Sequence, residues 1–332
     1  MPLSAARALR GQAVLVTGGA GFIGSRLATV LVEAGARVAV IDALVPDCGG
    51  NLFNLEPVRE RIEFVQADLR DRARLEPLVR GADLIFNLAG HVSHIDSMRH
   101  PEKDLAINCD SHLALLEACR RENPRARVLY AGTRQQYGRP QYVPVDEGHP
   151  LVPTDINGIN KLAGEWYHRL YHVLHGLATT SLRLTNTYGP GLLIRHARQG
   201  FLSVFIRRVL ENDTIRVFGD GQQLRDLNYV DDVVAAFLVA ATAPSTIGGC
   251  FNLGSQEALS LSRIAELFVE VAGTGRIERV PFPADLKRID IGSYYGSFQR
   301  FHAATGWQPR TPLPEGLRRT IDFYREHQEH YL

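Results

Sequence analysis

The chain has 332 residues, 45% of them hydrophobic and 22% charged, the make-up of a folded globular protein long enough for a large core and two lobes. Thirty-seven Lys and Arg against 36 Asp and Glu leave a net charge of +1, which offers no field for nucleic acid or a membrane surface. No apolar run reaches about 18 residues, the N-terminal segment is too short and polar for a secretory leader, and Cys48, Cys109, Cys119 and Cys250 are scattered without a CxxC pair. The expectation is a cytoplasmic protein with reduced thiols, no membrane span and no metal site.

The first element is the most informative. Ala13 to Val16 is an apolar run that predicts a buried strand over 13–17, and an apolar-periodic stretch predicts a helix over 22–34. Between them Gly18, Gly21 and Gly24 are spaced GxxGxxG. A turn this tight needs residues that accept positive φ, and it brings backbone N–H groups and the helix N-terminus to where a dinucleotide pyrophosphate binds. Gly18, Gly21, Phe22, Ile23 and Gly24 are therefore candidate cofactor contacts. The next strand, 37–42, ends in Asp42, at the sequence distance where a carboxylate hydrogen-bonds the adenosine ribose 2′-hydroxyl. That charge repels a 2′-phosphate, and Ala43 and Leu44 bring no arginine to attract one, so NAD is expected rather than NADP.

Strands follow at 62–66, 83–88, 126–131 and 178–184, separated by helices at 71–80, 101–121 and 157–175. This alternation predicts an α/β fold, a doubly wound parallel sheet of the Rossmann type with ligands at the carboxyl ends of its strands. His168, His172 and His175 fall at helical spacing without a zinc pattern and read as a solvated helix face. After residue 185 the loops fill with Pro, Gly, Arg and aromatics, which predicts a smaller α/β C-terminal substrate lobe. Tyr229 to Ala241 reads as a helix and Cys250 to Leu253 as a strand returning to the first sheet. The lobes expected are 1–184 plus about 229–254 for the dinucleotide, and about 185–228 plus 255–332 for the substrate.

A set of motifs resembles the extended short-chain dehydrogenase/reductases that epimerise, dehydrate or decarboxylate nucleotide sugars. They are Thr17 to Gly24, Asp68-Leu69, Asn87 to Gly90, Gly132-Thr133 with Tyr137-Gly138, Lys161 to Glu165, Arg183 to Asn186 with Tyr188 to Pro190, Gly219 to Gly221, Arg225-Asp226 through Asp232, and Gly306-Trp307 with Leu313 to Leu317. In that family tightly held NAD oxidises a sugar hydroxyl, usually at C4, while a base removes the hydroxyl proton. The resemblance implies cofactor contacts at Asp68, Leu69, Leu88, Ala89, Gly90, Asn108 and Lys161. It implies substrate contacts at Ser93 in the sugar-contacting loop, at Asn186, at Arg225 on the pyrophosphate, and at Lys287 or Arg288 as a second cation. Arg225 also reads as an ion pair to Asp226 or Asp231. A homodimer is implied, with the helices at 101–121 and 157–175 paired as a four-helix bundle; apolar Leu113, Leu116 and Trp166 suit that or core packing.

At the central residue the sequence departs from the family. The family's base is a Tyr four residues before a Lys, with a Ser or Thr hydrogen-bonded to the same substrate hydroxyl. Lys161 and Thr133 are present, but Asn157 stands at the Tyr position, and an amide is no general base near neutral pH. It can orient a water or hydrogen-bond the sugar. Three outcomes follow. Another group takes the proton, with His94 and Asp96 first and His91 or a water chain ending at Lys161 next; or a related reaction uses other residues; or NAD and sugar nucleotide bind without turnover. Tyr137 reads as a structural residue or a replacement base. Arg134, Gln135 and Gln136 are donors for a polar substrate or a solvated loop edge. A 4,6-dehydratase is the enzymatic alternative to a C4 epimerase, but Arg134 and Gln135 occupy the two positions where dehydration wants an Asp-Glu pair.

Overall fold

The computed structural model describes residues 3–196, 200–283, 287 and 290–332. Its strands are β1 (Ala13–Thr17), β2 (Arg37–Asp42), β3 (Ile62–Gln66), β4 (Leu84–Asn87), β5 (Arg127–Thr133), β6 (Ala178–Leu184), β7 (Asn186–Tyr188), β8 (Thr214–Phe218), β9 (Leu224–Tyr229), β10 (Cys250–Leu253), β11 (Ala258–Ser260) and β12 (Arg276–Val280). Seven form one all-parallel sheet in the order β10-β6-β5-β4-β1-β2-β3. The direction of winding reverses between β1 and β4, and the crevice beyond their carboxyl ends is where such sheets bind ligands. The remaining strands make a three-stranded sheet, β11-β9-β7, and a two-stranded pair, β12-β8.

Both faces of the large sheet are dry. Side chains alternate along each strand, so Val14 and Val16 join one buried cluster while Leu15 joins another; Leu84 and Phe86 part from Ile85 in the same way. The first cluster is covered by the helices Phe22–Glu33 and Val230–Thr242, through Leu27, Leu31, Val233 and Phe237. The second is covered by Arg72–Arg80 and Ser111–Glu122, through Leu75, Val79 and Leu115. This is the doubly wound sheet that the alternating pattern predicts.

Two local readings are corrected. The helix expected over 101–121 is interrupted by a π turn at Ala106–Asp110 between Pro101–Leu105 and Ser111–Glu122. At that turn the Asn108 amide accepts from His91 N–H and donates to His91 O, both at 3.0 Å, which pins the loop after β4. His168 lies in no solvated face. It is fully buried, Nδ1 donating to Gly164 O at 2.7 Å and Nε2 accepting from Asn87 Nδ2 at 3.2 Å, and burial pulls its pKa down to about 4.

The helix Ile156–His175 carries Asn157, Lys161 and Glu165. It is opened by Asp155, whose Oδ1 accepts from Gly158 N–H at 2.7 Å, and closed by Gly176 in the left-handed region at φ 69°. Glu165 fastens it to the sheet: Arg183 on β6 donates from Nε at 2.9 Å and Nη2 at 2.5 Å, and Gln136 Nε2 adds a bond at 2.9 Å. Both ends of this pair are buried, at 6% and 4% side-chain exposure. Removing one partner strands the other charge in the core. Glu165→Ala is therefore expected to cost about 3–5 kcal/mol of unfolding free energy, read by chemical denaturation; a loss no larger than that of an exposed pair would show that Arg183 finds another partner.

Candidate functional site

A cavity of about 470 Å³ opens at the carboxyl ends of β1, β2, β4, β5 and β6. Its first half is the glycine turn. Gly18 has φ +64°, and a Cβ there would come within 2.7 Å of Ala89 Cα; a Cβ on Gly24 would strike the Gly18 carbonyl oxygen. Close approach of the backbone is therefore built in. The helix Phe22–Glu33 starts at Gly21 with no side chain capping it and no acid in its first turn, so its positive end is open to a pyrophosphate. This cradle fits a dinucleotide.

Each proposed cofactor residue except Asn108 lines this cavity: Gly18, Gly21, Phe22, Ile23, Gly24, Asp42, Asp68, Leu69, Leu88, Ala89, Gly90 and Lys161. The Asp42 carboxylate is fixed at the tip of β2 by Ala20 N–H at 3.0 Å and Leu44 N–H at 2.8 Å, and burial pushes its pKa up. Asp68 is forked by Arg70, at 2.9 and 2.8 Å, which holds its carboxyl below the usual range. Asn108 is corrected from a cofactor contact to a loop pin: it is fully buried, with both amide atoms spent on His91.

In the second half Thr133, Asn157, Lys161 and His94 face the same space. Thr133 ends β5, and its Oγ1 accepts from Gln135 N–H at 3.2 Å. Lys161, one helical turn after Asn157, donates from Nζ to Ala131 O at 2.7 Å and lies 4.7 Å from the Tyr130 ring. Asn157 does not point its donor at a ligand. Its Nδ2 serves His91 O at 2.6 Å and Asp104 Oδ2 at 2.9 Å, and Asn160 donates to the other Asp104 oxygen at 2.9 Å. Burial raises Asp104, but donors from His91, Asn157, Asn160 and Asn108 outweigh it and hold the carboxyl below its usual range.

The candidate bases sort themselves by position. His91 and Asp96 turn to a separate polar cavity of about 170 Å³, together with Asp104. Tyr137 is fully buried, donating to Asn252 Oδ1 at 2.7 Å and accepting from Arg183 Nη1 at 2.5 Å, and burial pushes it up to about 12. His94 remains in the reaction space. Its Nδ1 is paired with Asp155, and its Nε2 lies 2.7 Å from Gln135 Nε2. A carboxylate on Nδ1 fixes the proton there, so Nε2 is the acceptor. Sequence reasoning missed Asp155, although Asp-x-x-Gly ahead of a helix is an N-cap signal. It missed Asp104 as well, which carries no local signal.

Among the substrate residues, Asn186 and Arg225 line the cavity. Asn186 Nδ2 donates to Asp226 O at 3.0 Å. Arg225 pairs with neither Asp226 nor Asp231; Asp231 binds Arg26 at 2.6 Å, and the carboxylate near Arg225 is Asp290 at 3.7 Å. Ser93 is corrected: it is fully buried and caps the helix His94–Arg99, its Oγ accepting from Asp96 N–H at 3.1 Å. Lys287 is exposed and outside the cavity lining, and Arg288 lies outside the described residues. No helix among the described residues is long and apolar enough to cross a membrane, and no cluster of His, Cys, Asp or Glu among them has the arrangement of a metal site.

Comparison with known proteins agrees with this geometry. A sequence model of the NAD dependent epimerase/dehydratase family matches residues 14–254. A putative UDP-glucose 4-epimerase of Methanocaldococcus jannaschii is 32% identical over 94% of this chain and 98% of its own. An epimerase structure from Methanothermobacter thermautotrophicus superposes with a TM-score of 0.91 at 27% identity, covering 98% of this chain and 96% of that one. A UDP-glucose 4-epimerase of Thermus thermophilus, in complex with NAD, superposes with a TM-score of 0.82 at 31% identity, over 94% and 98% of the two chains. NAD is accordingly the cofactor.

Lys161 gives the site a measurable pH signature. Burial pulls its ammonium down to about 8 from the ordinary 10.5, and the nearby carboxylates of Asp104 and Glu165 offset only part of that. Between these values the unfolded chain keeps a proton that the folded chain has released, so stability rises with pH there and the gain is absent below about pH 8. From about pH 7.5 to 9.5, cofactor-free wild type is expected to gain on the order of 2 kcal/mol relative to Lys161→Met in denaturant unfolding. Parallel slopes for the two proteins would place the group in water.

Proposed function

The chain belongs to the NAD-dependent epimerase/dehydratase family of extended short-chain dehydrogenase/reductases, and from that premise we propose that it is a nucleotide-sugar epimerase acting at C4 through a transient keto-sugar. One observation carries this reading: His94, Thr133 and Lys161 face one space beside the glycine turn, and neither position after Thr133 offers a carboxylate for eliminating water. NAD, when bound, supplies hydride transfer from and to a sugar carbon. The protein's task is to take and return the hydroxyl proton and to hold the sugar while either face is presented.

His94 takes that proton. Asp155 fixes its tautomer and stabilises the imidazolium that forms. In the resting arrangement Gln135 donates to the accepting nitrogen, while its own Oε1 is buried without a partner. Nε2 has a single lone pair, so the Gln135 amide must swing aside as the substrate hydroxyl takes its place. Thr133 hydrogen-bonds the same hydroxyl. Lys161 would hold the nicotinamide ribose, and its charge would assist loss of the hydroxyl proton. Arg225 and Asn186, in the lobe of about 185–228 and 255–332, hold the diphosphate. Asn157 keeps Asp104 satisfied.

The purified protein is expected to carry NAD(H) and to equilibrate one sugar with its C4 epimer in a panel of UDP-, dTDP-, GDP- and CDP-sugars followed by NMR. His94→Gln should lower kcat by about 10²–10⁴ with cofactor content unchanged. A full rate in that variant removes His94 from the role, and cofactor binding without turnover of any sugar makes the protein a binder.

The reading includes a homodimer. On the helix Ile156–His175, Ile159, Trp166, Leu170 and Val173 are exposed by 52%, 47%, 48% and 69% and follow one another at steps of seven, four and three residues. An apolar stripe of that period is the seam of a helix bundle, although Leu116 is spent on the core. Light scattering should find a dimer for wild type and a monomer for Leu170→Glu; a dimer in both would place the interface elsewhere.

A further inference from the structure

Two guanidinium groups line the reaction half of the cavity, and they are held in different ways. Arg225 is 7% exposed, and its Nη1 donates to Leu224 O at 2.8 Å and Gly292 O at 2.5 Å, with Asp290 3.7 Å from Nη2. Its Nη1 is thus taken by protein carbonyls. Arg134 is held loosely by comparison. No carboxylate among the described residues comes within ion-pair distance of it, and its hydrogen bond to a described residue, Nη2 to Asn186 Oδ1, is stretched to 3.4 Å. Asp226 is close enough to be felt, but its carboxylate is fully buried and committed to Thr185 and to Gly296 N–H.

What steadies Arg134 is the ring of buried Tyr294, 5.0 Å from Cζ. A ring attracts a cation without acting as a conventional acceptor for its in-plane N–H groups. The planar fork is thus oriented by the protein with most of its donors unclaimed by the described residues, which is the preparation that two-oxygen anions need. Like charge adds to the demand: burial and then the neighbouring Arg134 pull Arg225 down to about 10.

Chain position says which part of a ligand faces Arg134. It follows Thr133 directly on the loop leaving β5, whereas Asn186 and Arg225 come from β7 and β9. The side chain therefore spans from the reacting end toward Asn186, across the space a sugar would fill. We propose that Arg134 receives a carboxylate carried by the sugar itself, so that nucleotide-linked sugars bearing a carboxylate, uronic acids above all, are the substrate class of this site. The proposal rests on the reading above for where the sugar lies, and not for whether it turns over.

The test is calorimetric binding to the NAD-loaded protein. Among UDP, dTDP, GDP and CDP, the diphosphate that wild type binds most tightly is compared with its hexose and hexuronate derivatives; for UDP these are UDP-glucose and UDP-glucuronate. Wild type should bind the hexuronate about tenfold or more tightly than the hexose. Arg134→Gln should lose that margin while its affinities for the diphosphate and the hexose stay within about twofold, and Arg134→Lys, which keeps charge but not the fork, should recover only part. Equal losses for all three ligands would assign Arg134 to the diphosphate and overturn the proposal, as would a wild type without preference. Binding needs no turnover, so a hexuronate preference in a protein with no epimerase activity upholds this inference while removing the C4 reaction.

Discussion

The geometry of the site depends on how one helix is fastened to the sheet. Residues 157, 161 and 165 of Ile156–His175 are each one turn apart and share a face. Each is tied to something different: Asn157 to the loop after β4, Lys161 to a carbonyl of β5, Glu165 to Arg183 of β6. The fork between Glu165 and Arg183 is the strongest of these because both groups are charged, buried and bidentate. With the helix clamped there, Lys161 has one carbonyl to reach, and an ammonium that burial would otherwise expel is held at the end of a strand.

The same helix explains why an amide at position 157 is more than a missing phenol. Asp104 is a fully buried carboxylate, and its charge is tolerated because neighbouring amides donate to it. A residue at 157 that reached out toward a substrate would withdraw one of those donors. The acid–base role proposed above then falls to His94, whose partner Asp155 lies two residues earlier in the chain. Asp155 caps the helix with one oxygen and holds His94 with the other, so the element that brings Lys161 into place also orients the imidazole.

The sheet was legible in the sequence because each strand is a short apolar run punctuated by Gly, Asp or Asn, and because β-branched runs and 3.6-residue periods do not resemble each other. Residues 13–17, 37–42, 62–66 and 178–184 are strands with the expected bounds, and β5 runs on through Gly132 and Thr133 because these pair with Arg183 and Leu184. The glycine turn was legible for the same local reason. The reaction half was not. Ser93 and Asn108 are polar residues near a strand end, and sequence cannot say whether such a group faces a ligand or its own backbone. His94 and Asp155 meet across 61 residues, and Asn157 and Asp104 across 53; no local pattern encodes those meetings. Lys287 and Arg134 differ in the same way. Lys287, one of two cations placed by motif, is exposed, whereas Arg134, read either as a donor for a polar substrate or as a loop edge, stands in the cavity.

A net charge of +1 conceals a separation of charge along the cavity. At the end of β2, Asp42 presents a carboxylate fixed by two N–H groups, and Asp68 beside it is neutralised by Arg70. The glycine turn in the middle presents only the positive end of a helix. At the far end stand Lys161, Arg225 and Arg134, and among the described residues Asp290 is the carboxylate nearest to either guanidinium. A ligand with a neutral, hydroxyl-rich terminus and anionic groups further along lies in this field in one direction only. Low local dielectric strengthens that preference where the lining is most apolar. Under the reading proposed above, the carboxylate at the tip of β2 meets ribose hydroxyls, and the arginines recruited from the loops and strands on the opposite side meet the anionic groups of the sugar nucleotide.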